Sequence, residues 1–227
     1  MSAIEAKAYI GKEKPMRSGY EQIYESLIPK LGECDFSEAS GRLGLSLAPD
    51  GAMTVIFLGR EYEISPCGIN PTDGMPVNVI NRIVLAYYAL SKGAGEPVFS
   101  YVPVYNFIGT GMAFGSNLKW MTDPLGKAFS GDYDKFRETL SRLGGVFEGK
   151  LSAGGYSWHL RILPKIPLRI VYYDGDEEFP CEIRILFDEN ASRFMEFECL
   201  AFLEGCLVRA MSMTAKTGSI AGWEQDG

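Results

Sequence analysis

The sequence predicts an α+β fold, a single domain in which antiparallel sheet (an N-terminal meander and a C-terminal hairpin) packs against three to four helices. Two observations carry this. Segments with period-two alternation gather in two runs, near residues 44–64 and 166–187, instead of alternating one by one with helical segments. The second run reads as a hairpin, IPLRIVYY and CEIRILF joined by DGDEEFP, which is an antiparallel device. The 227 residues contain no internal repeat and no low-complexity linker, so one domain is expected over 17–211, with flexible tails at 1–16 and 212–227.

The elements follow in chain order. Residues 1–16 are polar, with Pro15 and three lysines. YEQIYESLIPKL (20–31) places Tyr20, Ile23, Tyr24 and Leu27 on one helical stripe, and Pro29 is expected to end or kink that helix. GLSLAPDGAMTVIFLGREYEIS breaks at Pro49-Asp50-Gly51 and again at Gly59-Arg60, which predicts a three-stranded meander across 44–64. Ser65-Pro66-Cys67-Gly68 is a turn. Val77 to Leu90 carries Val77, Ile80, Val84, Tyr87 and Tyr88 at helical spacing, with Gly93 as the stop signal. Glu96 to Phe107 reads as a strand that Pro103 confines to a sheet edge. GTGMAFGSNLKWMTDPLG reads as a long loop. A helix over 132–143 turns Phe136, Leu140 and Leu143 inward, with Asp132 as its cap and Gly144-Gly145 as its end. After the hairpin, Asp188 is placed to cap the turn ENASRF. A last helix over 196–211 puts Phe197, Leu200, Leu203, Leu207 and Met211 on one stripe.

Composition excludes several functions. A net charge of −7 opposes a nucleic-acid partner, because phosphate backbones are bound through basic faces. The longest helix-like apolar run, Ile83 to Leu90, is far short of the ~20 residues that span a bilayer. No secretory leader is legible, so a cytoplasmic protein without a membrane partner is expected. Cys34, Cys67, Cys181, Cys199 and Cys206 are odd in number and include no C-x-x-C pair. Free thiols are expected, with no zinc ribbon and no iron–sulfur cluster in this chain.

The densest chemistry lies in DGDEEFP. Asp174-Gly175 suits a type I′ turn, which makes a solvated hairpin tip one reading. A second folds Glu177 or Glu178 inward to meet Lys165 or Arg169, with Phe179 as a buried anchor. A third is a hard-cation site of Asp176, Glu177 and Asp188, since magnesium needs few carboxylates. An EF-hand is excluded, because Phe179 stands where that loop needs glycine and Ile185 where it needs glutamate.

Gly109, Gly111 and Gly115 match no phosphate-binding fingerprint, and no cofactor motif is recognisable elsewhere. Tyr101, Tyr105, Phe114 and Trp120 nevertheless bring rings to a glycine-rich loop, a pattern that can close on a flat ligand. The candidate ligand-binding set is therefore Tyr101, Tyr105, Phe114, Trp120, Lys165, Glu177 and Glu178. His159 is the only histidine and has no nucleophile elbow beside it, so no catalytic residue is assigned. Arg161, Lys165 and Arg169 recur every four residues, as an anion site or as a balance for the acidic turn.

Leu163-Pro164-Lys165, then Glu177-Glu178-Phe179-Pro180, then Leu186-Phe187-Asp188, resemble the family described as domain of unknown function 3786. The upstream LAYYALSKGAGEPVFSYVPVYNF is similar to it as well. The resemblance implies an uncharacterised bacterial or archaeal domain of anaerobes, some of whose members carry a fused four-cysteine iron–sulfur domain of the kind seen on corrinoid iron–sulfur proteins. This chain lacks those cysteines, so the resemblance implies at most an iron–sulfur or corrinoid protein as partner. The expected function is a non-catalytic ligand- or partner-binding accessory module in anaerobic redox or one-carbon metabolism. Two alternatives stand: a metal-assisted hydrolase built on the 174–188 carboxylates, and a structural subunit that docks through an acidic face.

Overall fold

Two open antiparallel sheets and six α-helices share one apolar core, so the α+β prediction holds. The structure is a computed structural model. It describes residues 19–108, 119–176 and 178–220, with 119–123 described by their backbone alone.

Helix α1 (Gly19–Gly32) runs through Pro29 to Gly32 instead of stopping there. It buries Tyr24, Leu27 and Leu31, and the Tyr24 hydroxyl accepts from Ile69 N at 2.7 Å. Helix α2 (Phe36–Leu43) was not foreseen, although its signals are plain. Asp35 caps it by accepting from Glu38 N at 3.0 Å, and Gly44 closes it at φ 72°.

The meander has four strands, one more than predicted: β1 (Ser46–Leu47), β2 (Met53–Phe57), β3 (Arg60–Ser65) and β4 (Gly68–Pro71), in that spatial order. The turn at Pro66-Cys67 brings the chain back to pair Ser65 with Gly68. Leu58 and Gly59, at φ 50° and 81°, form the two-residue primed turn that matches strand twist. Helix α3 (Val79–Leu90) is capped by Asn78 and lies against α1.

The second sheet has the order β5-β9-β8-β7-β6. Of the expected 96–107 strand only β5 (Tyr101–Pro103) pairs, at the edge, and the chain then turns into a short 3₁₀ helix over Val104–Phe107. An edge place is what a proline without an N–H allows. Helix α4 (Lys119–Phe129) occupies part of the stretch read as loop, and it continues through Pro124. Helix α5 (Tyr133–Arg142) matches prediction, with Asp132 accepting from Lys135 N at 3.0 Å. Phe136 and Leu140 are fully buried, each contributing on the order of 2 kcal/mol of apolar burial.

Strands β6 (Val146–Lys150), β7 (Tyr156–Leu163), β8 (Ile166–Tyr173) and β9 (Glu182–Asp188) complete the sheet. The hairpin register is Ile170 to Ile185 and Tyr173 to Glu182. Val171, on the opposite face of β8 from Ile170 and Tyr172, is buried as well. The inner face meets α5 through Phe136, whose ring lies 4.8 Å from Tyr172. Helix α6 (Phe197–Thr217) runs six residues past Met211 into the expected tail and ends at Gly218, φ 69°. Among the described residues, no helix is long and apolar enough to cross a membrane.

Candidate functional site

The acidic turn is organised by its own aspartates. Residues 174–181 connect Tyr173 to Glu182, so the connection is longer than the two-residue type I′ turn, and Gly175 lacks the positive φ which that turn requires. Asp174 accepts from the Tyr172 hydroxyl at 2.9 Å, from Gly175 N and from Gly131 N, tying the turn to the α4–α5 corner. Asp176 accepts from Glu178 N and Phe179 N, which hold its carboxyl below the usual range. Phe179 is 66% exposed, so it is no buried anchor, and Glu178 is exposed beside it. Glu177 lies outside the described residues.

The cations expected to meet these acids have other partners. Lys165 pairs with Glu96, and Arg169 pairs with Glu148 at 3.0 Å. The inward network is thus not formed by the described groups. Asp188 sits at the far end of β9 from Asp176, with a seven-residue strand, roughly 20 Å, between them. Its buried carboxylate accepts from Val98 N, Phe99 N and Asn190 N, the last being the predicted cap. It therefore clamps backbone and does not face Asp176. Among the described residues, no group of three or more His, Cys, Asp or Glu side chains gathers as a metal site needs.

The predicted aromatic set is likewise divided. Tyr101 pairs with Asp188, at the opposite end of β9 from the turn. Tyr105 is exposed in the 3₁₀ helix, within electrostatic reach of Arg184. Phe114 and the three loop glycines lie outside the described residues, and Trp120 is placed only by its backbone in α4. Sequence reasoning joined residues that are near in the chain but that the sheet separates.

The concave site is elsewhere, and the sequence reading did not foresee it. A groove of about 690 Å³ lies between α1, α3 and the start of α6. Its floor is apolar, with Ile80, Ile83, Leu90, Phe194 and Met195. Tyr20, Ile23, Tyr87 and Phe202 stand along it, each 37–42% exposed. Tyr20 and Phe202 meet edge to face at 5.9 Å, joining α1 to α6. Lys92, Arg193, Glu196 and Glu198 form the polar rim. The available signal was the excess apolar residues on two helices: Tyr87 on α3 and Phe202 on α6 fall off the buried stripes.

Close backbone packing shapes this groove. A Cβ on Gly93 would lie 2.1 Å from the Arg193 carbonyl oxygen, so the segment after α3 approaches the segment before α6 as only glycine allows. Cys199 lines the wall. Burial first, then Glu196 and Glu198, push its thiol up to about 11, so it stays protonated and is not a nucleophile. Cys181 is raised too, by burial and secondarily by Asp174, although the Tyr172 hydroxyl opposes this. The groove offers shape, rings and rim charges.

A family model described as domain of unknown function (DUF3786) matches residues 35–210 of the chain. No curated protein and no solved structure gives a match.

Proposed function

The chain belongs to the DUF3786 family, and from that premise we propose that it is a non-catalytic binding module whose ligand sits in the groove between α1, α3 and α6. The groove itself carries this reading. Its 690 Å³ falls in the range of ligand pockets, and its walls are apolar with a few polar groups at one side. Exposed rings in a concave setting are what a ligand covers at gain, since each leaves water on binding. The ligand class that fits has an elongated or flat apolar body and a polar end at the Lys92–Arg193 and Glu196–Glu198 rim.

The metabolic setting belongs to the same proposal. Because the family resemblance implies a setting in anaerobes beside an iron–sulfur or corrinoid protein, such a protein is the partner to test first, in the cytoplasm. A metal-assisted hydrolase at 174–188 draws no support from the geometry, because Asp176 bonds its own turn and Asp188 clamps the backbone just before β5.

The test is ligand capture. Protein purified anaerobically from its native host is examined by native mass spectrometry, and flavins, corrinoids and medium-chain carboxylates are screened by thermal shift. The expected result is a bound or stabilising molecule whose effect is lost in Tyr87→Ala and Phe202→Ala. Both side chains are partly exposed, so these variants fold. Stabilisation that is equal in wild type and both variants, or absent across the panel together with an empty native protein, overturns the groove as the site.

A further inference from the structure

We propose that the outer face of the five-stranded sheet carries a second, independent site, for a carboxylate or phosphate borne on an apolar body, formed by Arg161, His159 and Tyr101 with Phe99 as its apolar rim. The register builds it. His159 on β7 lies opposite Arg169 on β8, which lies opposite Leu186 on β9, so all three project from one face. Tyr101 on β5 reaches across that face, and its hydroxyl is 3.4 Å from Nδ1 of His159. The Arg169 guanidinium lies 4.4 Å from the Tyr101 ring centre. Glu148 holds Arg169 in that stack and accepts from the Ser157 hydroxyl at 2.6 Å.

One cation of this face has no ion pair among the described residues. Glu148 neutralises Arg169, but Arg161, two residues along β7 from His159, is exposed and has no ion pair or hydrogen bond among the described residues. Asp188 lies on the same face beside Tyr101, but its carboxylate is taken up by the backbone N–H groups of Val98, Phe99 and Asn190 and not by Arg161. Burial is the main cause that lowers the His159 pKa, and Arg161 and Arg169 lower it further against the pull of Glu148. The ring is thus neutral at pH 7. When the Tyr101 hydroxyl donates to Nδ1, the ring proton sits on Nε2 and can be given to an anion.

Phe99 supplies the independent sign of function. It sits at φ 57°, a conformation costly for a side chain of its size, and is 57% exposed. Its ring centre lies 6.3 Å from that of His159. The backbone strain is sustained by the buried Asp188 clamp. A fold that spends a buried carboxylate to display an exposed aromatic ring beside its sole histidine, two residues along the strand from an arginine with no partner among the described residues, has the parts of a recognition site: a fork for the anion and a ring for the body behind it.

The sole histidine also makes the test clean. Benzoate, phenyl phosphate and inorganic phosphate are titrated into the full chain while the His159 ring signals are followed by NMR. A saturable shift is expected with benzoate and phenyl phosphate, together with a raised His159 pKa, because a bound anion favours the imidazolium. Arg161→Ala should weaken binding about tenfold or more, the loss of one charge-assisted contact, whereas Arg161→Lys should restore part of it. Phe202→Ala, in the groove, should leave the shift unchanged, which separates failure here from failure of the groove reading. Signals that stay fixed with all three probes, or that move equally in Arg161→Ala, overturn the site. Equal affinity for inorganic phosphate and phenyl phosphate overturns the role given to Phe99.

Discussion

Asp188 accepts a hydrogen bond from the backbone N–H of Phe99 at 2.5 Å and so holds that residue in a left-handed conformation, 89 positions away in the chain. The second carboxylate oxygen takes the N–H groups of Val98 and Asn190. One buried side chain thereby joins the segment before edge strand β5, the end of β9 and the turn that leads to α6. Asp188→Asn keeps an acceptor for Val98 and Asn190 but faces Phe99 with an NH₂ group. It should cost about 1–2 kcal/mol in urea unfolding, and Asp188→Ala about 2–4 kcal/mol. Equal, negligible losses in both variants would show that the clamp is idle.

Glu204 is the buried carboxyl with the clearest pH signature. It is 5% exposed on α6, its Oε2 makes no hydrogen bond, and burial pushes its pKa up to about 7. Below pH ~4.5 folded and unfolded chains both hold the proton, and this group adds no pH dependence. Between about pH 4.5 and 7 the unfolded chain loses the proton while the folded chain keeps it, so stability falls as pH rises. The decline should total roughly 3 kcal/mol and level off above pH 7. Glu204→Gln should remove that slope and be the more stable protein at pH 8, as read by urea midpoints across the range.

The acidic turn should respond unevenly. Asp174→Ala removes one of two acceptors of the Tyr172 hydroxyl, the other being the Phe129 carbonyl, and the partner of Gly131 N, and should cost about 1 kcal/mol. Glu178→Gln, on an exposed side chain, should stay within ~0.5 kcal/mol. Thermal melts of the two variants side by side decide it. A larger loss from Glu178→Gln would mean that this glutamate makes an internal contact.

Gly93→Ala should be costly at a position that looks like an ordinary loop. The added methyl meets the Arg193 carbonyl and the Phe194 Cα, both backbone, so a neighbour must move. A loss of about 1–3 kcal/mol is expected from such overpacking. The movement should also disturb the groove, so ligand stabilisation should weaken in this variant beyond what stability alone explains.

The family resemblance and most elements were legible because their causes are local. Helix α5 has an Asp132 cap and a clean apolar stripe, and the β8–β9 hairpin has strict alternation on both arms. Helix α2 is equally local in cause, with Asp35, Glu38 and Gly44 at capping spacing. Helix α4 was hidden by Pro124 and by the glycine-rich stretch before it, and β6 by its short, mixed sequence, VFEGK.

The sites were a different matter. The chain order put Asp176 and Asp188 close together and left His159, Tyr101 and Phe99 unconnected, whereas the sheet parts the first two and gathers the other three. A strand carries each residue ~3.3 Å along its axis, so near neighbours in sequence part quickly and register partners from distant segments meet. By itself the sequence determined the kinds of element, their faces and the family. Tertiary structure alone decided which polar groups are clamped, which cation lacks a partner among the described residues and where three helices leave a concavity, because these depend on distances that only strand pairing and helix packing set.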